Sequence, residues 1–409
     1  MTNREFEIIV WGASGFTGRL VCAYLAKRYG QQLNWAMAGR NRDKLVTVRD
    51  ALGADAAEVP LVIADSHDRD SLDELAGRTR VVLTTVGPYS LYGSELVGAC
   101  AAQGTGYCDL SGEVPWMRRM LEQHAAAAEA CGARIVHCCG FDSIPSDMGV
   151  FKMNEVARER TGEPCQAIRY RLKAAKGGPS GGTVASMLNI VSEARKDKET
   201  ARILKDPYAL CPPDHRGGPR QPYVSTAAYD SDLKAWTGPF VMGLINTRVV
   251  HKSNALSSYA YGQDFRYDEA VVTGAGLGGR LKAMSIAAGL ASFAVGASFA
   301  PTRALMQKLF LPDPGEGPSP EQQAAGFFNI VLIGDLADGS QLRMKVTGDR
   351  DPGYGSTSKM ISEAALCLAR DVPEETTGGG IWTPATAMGE ALLARLEENA
   401  GLTFELLED

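Results

Sequence analysis

Residues 6–25 read Phe6-Glu-Ile-Ile-Val-Trp-Gly12-Ala-Ser-Gly15-Phe-Thr-Gly18-Arg-Leu-Val-Cys-Ala-Tyr-Leu25, and they decide the fold. The first six form an apolar run of strand length. Leu20, Val21, Tyr24 and Leu25 then make a stripe with helical spacing. A strand, a glycine turn and a helix in that order are the setting of a dinucleotide-phosphate loop. Gly12 permits the tight turn, Gly15 lets backbone N–H groups approach a pyrophosphate, and Gly18 lets the helix pack close to the sheet. Ser14, Phe16 and Thr17 complete the turn, and the helix N-terminus offers unpaired donors and a positive dipole end. The spacing is GxxGxxG rather than GxGxxG.

Outward from this stretch the pattern repeats. Strand-like runs at Trp35–Gly39, Val59–Ala64, Val81–Val86, Tyr107–Leu110 and Arg134–Cys138 alternate with helical stretches at Asp43–Leu52, Ser71–Ala76, Ser94–Gln103 and Pro115–Cys131. Alternation of this length predicts crossover connections and a parallel sheet covered on both faces, a doubly wound α/β domain over residues 1–145. After Gly140 the rhythm changes. A strand-like run at Ala167–Ala175 leads through the glycine-rich segment 176–182 to a helix at Thr183–Lys196. Residues 205–239 read as a long surface excursion of the kind that forms lids. Phe327–Ile333 and Gln341–Val346 flank Asp338-Gly339, a hairpin signal, and Thr386–Leu396 closes the chain as an amphipathic helix.

The second strand chooses between cofactors. An NAD site places an acidic residue about 20 positions after the glycines. Here the chain reads Ala38-Gly-Arg40, and an arginine fork suits a 2′-phosphate, so NADP is expected. The bland alternative is a solvated basic residue opening the next helix. Asp65 ends the third strand, where it reaches the adenine edge or caps the next helix. Gly87 and Pro88 bend the chain after the fourth strand, at the sheet end where ligands bind. Tyr89 follows as a candidate proton donor or carbonyl hydrogen bond, with nicotinamide stacking or loop packing as alternatives. Asp142 and Ser143 hold the equivalent place after the sixth strand and are further catalytic candidates; helix capping is the alternative for them and for Asp147. Cys138 and Cys139 read as core.

Composition narrows the classes. The chain has 409 residues, 45% of them hydrophobic and 22% charged, with a net charge of −6 and no long basic run, so nucleic acid is not expected as a partner. Nine cysteines without a CxxC pair and five scattered histidines give no metal-ligand spacing, so no metal is expected. The N-terminal residues do not fit a signal peptide, and a cytoplasmic location is the default. Residues 283–302 carry no charge. They read first as a buried helix or the wall of an acyl pocket, second as a peripheral contact with the inner face of the plasma membrane, and last as a span.

The chain resembles the saccharopine dehydrogenase-like oxidoreductases, in particular their trans-acting enoyl reductase branch. The resemblance rests on residues 12–18, Ala38–Arg40, Val86–Tyr89 with Tyr92-Gly93, Tyr107-Cys-Asp-Leu-Ser-Gly-Glu113, Cys139-Gly-Phe-Asp-Ser-Ile-Pro-Ser-Asp147, Ser253–Leu256 with Tyr259–Gly262, and Thr383–Gly389. It implies an NADP-binding Rossmann domain. It also implies a second α+β domain over 146–380 built on an antiparallel sheet, with a helix at about 384–398 returning to the first. The implied reaction is reduction of an enoyl intermediate of a lipid-like or polyketide acyl substrate, carrier-bound or free. Homo-oligomerisation is left open. Two other readings stand beside it. None of the 13 tyrosines has a lysine four residues later, so the chain could be a non-catalytic NADP-binding scaffold or sensor at a lipid surface. Gly178-Pro-Ser-Gly-Gly182 matches GxSxG, which would make Ser180 a hydrolase nucleophile with His215 or His251 as base.

Overall fold

The computed structural model describes residues 4–178, 180–310 and 316–408. The apolar runs of the first third become strands β1 (Phe6–Trp11), β2 (Trp35–Gly39), β3 (Leu61–Ile63), β4 (Thr79–Thr84), β5 (Gly106–Cys108) and β6 (Arg134–Val136). Between them run α1 (Phe16–Tyr29), α2 (Arg42–Ala51), α3 (Arg69–Gly77), the single turn α4 (Tyr89–Tyr92), α5 (Ser94–Gln103) and α6 (Val114–Cys131). Ile8, Ile9, Val10, Val81, Val82 and Leu83 are all fully buried, which is why these strands read as unbroken apolar runs: helices cover both faces. The pairings are parallel, in the spatial order β3-β2-β1-β4-β5-β6.

Helix α7 (Ile144–Thr161) carries the chain to the second layer. There follow β7 (Ala167–Lys176), α8 (Gly181–Lys196), α9 (Lys198–Ile203), β8 (Ala228–Asp230), β9 (Ala235–Pro239), α10 (Gly243–Leu256) and β10 (Arg266–Gly274). Then come α11 (Gly276–Ser298), α12 (Ala300–Phe310), α13 (Pro320–Ala324), β11 (Phe327–Asp335), β12 (Gln341–Gly348), α14 (Thr357–Arg370), β13 (Gly380–Trp382), α15 (Pro384–Arg395) and β14 (Leu402–Leu407). The second sheet has the order β14-β12-β11-β7-β10-β9-β8; β7 pairs parallel with β10 and the other pairs are antiparallel. The β11–β12 hairpin turns where expected, with Gly339 at φ +85°.

Three expectations change. The 205–239 stretch is not a free lid: Ala209, Leu210 and Cys211 are buried, Arg118 donates to the Ala209 carbonyl at 2.6 Å, and its end forms β8 and β9. The 283–302 stretch is helical but not a buried helix, because only Gly279, Ala283 and Ala297 are buried along α11. An Ala- and Gly-rich uncharged run has the same composition whether a neighbour covers it or not, so contacts alone decide. The return to the first layer begins earlier than 384. Helix α14 packs on α1, β1 and β4, and β13 pairs parallel with β6 as a seventh strand of the first sheet. The final strand, β14, goes back to the second sheet.

Glu363 fastens that return. It lies on α14 with no exposure and accepts hydrogen bonds from the Tyr24 and Tyr29 hydroxyls of α1 region at 2.6 Å each and from Arg395 of α15 at 3.0 Å. Removing a partner of a buried ion pair leaves an uncompensated charge. Arg395→Met is expected to lower unfolding stability by about 3 kcal/mol in urea titration. Glu363→Leu combined with Arg395→Met should recover much of the loss.

Candidate functional site

In an open α/β sheet the ligand crevice lies where the strand order reverses, beyond the carboxyl ends of the strands. Here that point is between β1 and β4. The Gly12–Gly18 turn leaves β1, and Thr85–Pro88 leaves β4 beside it, with the Thr85 N–H bonded to the Trp11 carbonyl at 3.1 Å. Gly12 has φ +88°, and a Cβ there would lie 2.5 Å from Val86. A Cβ on Gly18 would lie 2.0 Å from the Gly12 carbonyl oxygen, so only glycine lets α1 start this close to the turn. Gly15 is different: it is exposed, and a Cβ would meet only the Gly12 oxygen at 3.3 Å. Ser14, Phe16 and Thr17 are partly exposed, and no side chain caps α1. The turn is therefore an open cradle of backbone donors, the chemistry that a dinucleotide pyrophosphate needs. Phe16 packs edge-on against Tyr354 at 4.8 Å, so the second layer reaches this loop.

The end of β2 presents Arg40, which is exposed and makes no hydrogen bond or ion pair among the described residues. Asn41, not Arg40, opens α2 by capping Lys44 N–H at 3.0 Å. Asp65 lies near Arg40. Its carboxylate accepts the His67 N–H at 3.0 Å, which holds its pKa below the usual carboxylate range, and the Arg40 charge adds to this. The α3 cap is Asp68, so the helix-cap alternative for Asp65 does not hold.

The loops after β5 and β6 share one buried carboxylate. Asp109 has no exposure and accepts from the Ser111 and Cys138 N–H groups at 3.0 Å each, from the Tyr107 hydroxyl at 3.0 Å and from His137 Nδ1 at 2.7 Å. The far ring nitrogen of His137 is buried without a partner, between the edges of Tyr107 and Trp116. Tyr89 sits in this cluster. Its hydroxyl donates to the Thr84 carbonyl at 3.2 Å and accepts from Leu110 N–H at 3.0 Å, and burial holds its pKa well above that of a free phenol. Tyr89 thus pins the ends of β4 and β5 together, and its proton is committed to the backbone. Of the alternatives open for it, loop packing is the one these contacts support. Glu113 braces the same corner: its carboxylate accepts Tyr89 N–H at 2.7 Å, Ser90 N–H at 3.1 Å and the Ser186 hydroxyl of α8 at 2.8 Å. Asp109 and Glu113 are not among the site residues that the sequence suggests. Their signal is two acids inside one short segment that contains no helix.

After β6, Ser143 is fully buried and donates to Asn246 at 2.9 Å. Asn246 in turn donates to Glu269, also at 2.9 Å, and burial raises Glu269 to about 7. Ser143 occupies the cap position of α7 without a capping bond from its side chain. Asp147 does not cap α7; it accepts Ala385 N–H in the first turn of α15 at 2.8 Å, beside that helix's own cap Thr383. Asp142 does neither. One of its carboxylate oxygens is shielded from solvent and has no partner, and burial with the nearby Asp109 charge raises its pKa to about 7. Lys252 of α10 is buried within reach of Asp147 and Asp109, and burial lowers its pKa to about 8. Cys138 and Cys139 are core residues, both fully buried. Ser180 caps α8 through Thr183 N–H at 3.0 Å. His215 faces Tyr259, and burial lowers His251 to about 3, so no Ser–His pair forms. Pro179 of that motif lies outside the described residues. Among the described residues no cluster of three metal-ligating side chains occurs.

A protein of Mycobacterium tuberculosis, provisionally named a trans-acting enoyl reductase, is 40% identical over 413 residues, covering 99% of this chain and 98% of its own. Trans-acting enoyl reductases of Mycobacterium ulcerans and Mycobacterium leprae are 38% and 37% identical, covering 97% and 96% of this chain and 96% of their own lengths. No protein-family model matches. Among solved structures, apo saccharopine dehydrogenase (L-Glu forming) from Saccharomyces cerevisiae aligns over 98% of this chain and all of its own at TM-score 0.54 with 11% identity, a likeness of fold.

The glycine geometry separates two variants. Gly15→Val is expected to keep its circular dichroism spectrum and melt within a few degrees of wild type, yet lose dinucleotide binding by fluorescence titration. Gly18→Ala overpacks the turn and should lose about 2–3 kcal/mol of stability.

Proposed function

The chain belongs to the trans-acting enoyl reductases, and we propose that it reduces the carbon–carbon double bond of an α,β-unsaturated acyl thioester with NADPH. It is an oxidoreductase, and its Gly12–Gly18 turn fits a nicotinamide dinucleotide. The observation that carries the reading is this open, uncapped turn at the switch point of the sheet, with an unpaired Arg40 at the end of the next strand. Arg40 is the residue that would hold a 2′-phosphate, through a bidentate fork. A nicotinamide held in that turn would supply a hydride for the β-carbon of the substrate. The α-carbon then takes a proton. Of the three polar candidates at the strand ends, Tyr89 and Ser143 have committed hydroxyls, whereas Asp142 keeps an unpartnered oxygen. Asp142 is therefore the proton donor in this reading. Such a reaction needs orientation more than a strong nucleophile. The relatives' name, a reductase acting in trans, supports a substrate delivered on another protein, such as a carrier-bound acyl chain of lipid or polyketide type.

Arg40→Ala is expected to weaken NADPH binding roughly ten- to a hundredfold, for charge-assisted bonds of about 1.5–3 kcal/mol, and to leave NADH binding unchanged. Titration by nicotinamide fluorescence checks it; equal wild-type affinities for the two cofactors would overturn the 2′-phosphate assignment.

Stopped-flow NADPH oxidation with coenzyme- and carrier-bound enoyl thioesters tests the reaction itself. The donor must be protonated, so turnover should fall about tenfold per pH unit above the raised Asp142 pKa of about 7. Asp142→Asn should cost on the order of a hundredfold in kcat and flatten that limb. No oxidation with any enoyl thioester, with NADPH binding intact, would refute the reductase reading.

A further inference from the structure

Helices α11 and α12 leave a face of the second layer bare. Along α11, Leu277, Leu281, Met284, Ala288, Ala291 and Val295 follow one another at steps of four and three residues, so they form a single stripe. The stripe is open to solvent: Leu277 is 70% exposed, Leu281 55% and Val295 61%, and Phe299 and Leu305 continue it at 50% and 56%. The opposite side is firmly seated. Thr273 donates to the Gly279 carbonyl at 2.8 Å, and a Cβ on Gly238 of β9 would lie 3.2 Å from Ala283 Cα. Ala297 packs on Val184 and Leu188 of α8.

Charge identifies what covers this face. Residues 276–310 carry Arg280, Lys282, Arg303 and Lys308 and no aspartate or glutamate, in a chain whose net charge is −6. Lys282 and Lys308 have no partner among the described residues. A stripe with this spacing would also suit the same helix of a second copy. An antiparallel pair, however, brings Arg280 and Lys282 toward Arg303 and Lys308. A parallel pair sets each cation against itself. Neither supplies a carboxylate in the hairpin. An anionic lipid surface supplies the counter-charge through its phosphates, and it accepts the apolar stripe in the same contact. Arg280 stacks on Trp236 at 5.3 Å, and the exposed Tyr229 meets that indole edge-on, which adds the amphipathic rings favoured at a bilayer interface. At 23 residues α11 is long enough to cross a bilayer. Its contacts with β9 and α8 would have to break for that, so it lies along the surface.

From this we infer that the α11–α12 hairpin docks the protein peripherally on an anionic membrane through the Leu277–Val295 stripe and its flanking cations. The inference is independent of the reductase reading.

Flotation with phosphatidylcholine vesicles, alone or mixed equally with phosphatidylglycerol, tests it. Wild type should float with the mixed vesicles only, and high salt should weaken the contact. At about fivefold per cation, Lys282→Glu with Lys308→Glu should reduce partitioning on the order of twentyfold or more. Leu281→Glu with Val295→Glu should abolish it. Both variants alter exposed side chains, so melting temperature, NADPH binding and turnover of a soluble short-chain enoyl thioester should stay at wild-type values. These readouts need no vesicle and report on the reductase reading alone. Equal flotation with neutral vesicles overturns the charge argument. Absence of flotation overturns the inference. If sedimentation then shows a dimer that Leu281→Glu with Val295→Glu dissociates, the face is a self-interface.

Discussion

The buried Asp109 carboxylate organises the carboxyl end of the first sheet. A charge without solvent must be surrounded by donors. Asp109 finds them in two backbone N–H groups, a tyrosine hydroxyl and an imidazole, drawn from the ends of β5 and β6. Its own carbonyl accepts Cys139 N–H at 2.7 Å, which fixes where the chain leaves β6. One side chain therefore sets the relative position of the two loops that floor the crevice. Burial keeps the neighbouring Asp142 reluctant to ionise, and the Asp109 charge adds to it. The carboxylate that orders the loops therefore also helps to tune the acid beside them.

Two further carboxylates extend this logic across the layers. Glu113 joins the turn after β4 to α8, and Glu363 joins α1 to α14 and α15. Asn189 of α8 adds a bond to the Ser90 hydroxyl at 2.9 Å. Helix α8 thus touches the crevice at Ser186 and Asn189, and the exposed hairpin through Val184, Leu188 and Arg195. It is the rigid element between the two.

Much of this architecture was legible in the residues. β1, β2 and α5 have the ends that the sequence predicts, because strands buried on both faces make continuous apolar runs and glycine marks where elements end. The roles of Gly12 and Gly18 followed from spacing. β13 was not legible: three residues, Gly380–Trp382, carry no periodicity, and only an open edge of β6 explains them. The Asp109–His137 pair was hidden for a similar reason, since 28 residues separate partners that strand neighbourhood brings together. Tyr89 looked free because the sequence cannot show that Leu110 and Thr84 take up its hydroxyl.

The placement of β13 bears on how the chain is made. Its neighbour β6 is complete at Val136, while β13 begins at Gly380, roughly 240 residues later. A ribosome adding about 5–20 residues per second takes about 12–50 s over that interval. Until then β6 is an unpaired edge, and Arg134 lacks its acceptors, the Leu368 and Val372 carbonyls. The first sheet waits for a strand made long after its neighbour, so a nascent chain stopped anywhere in the second layer releases that sheet with a raw margin.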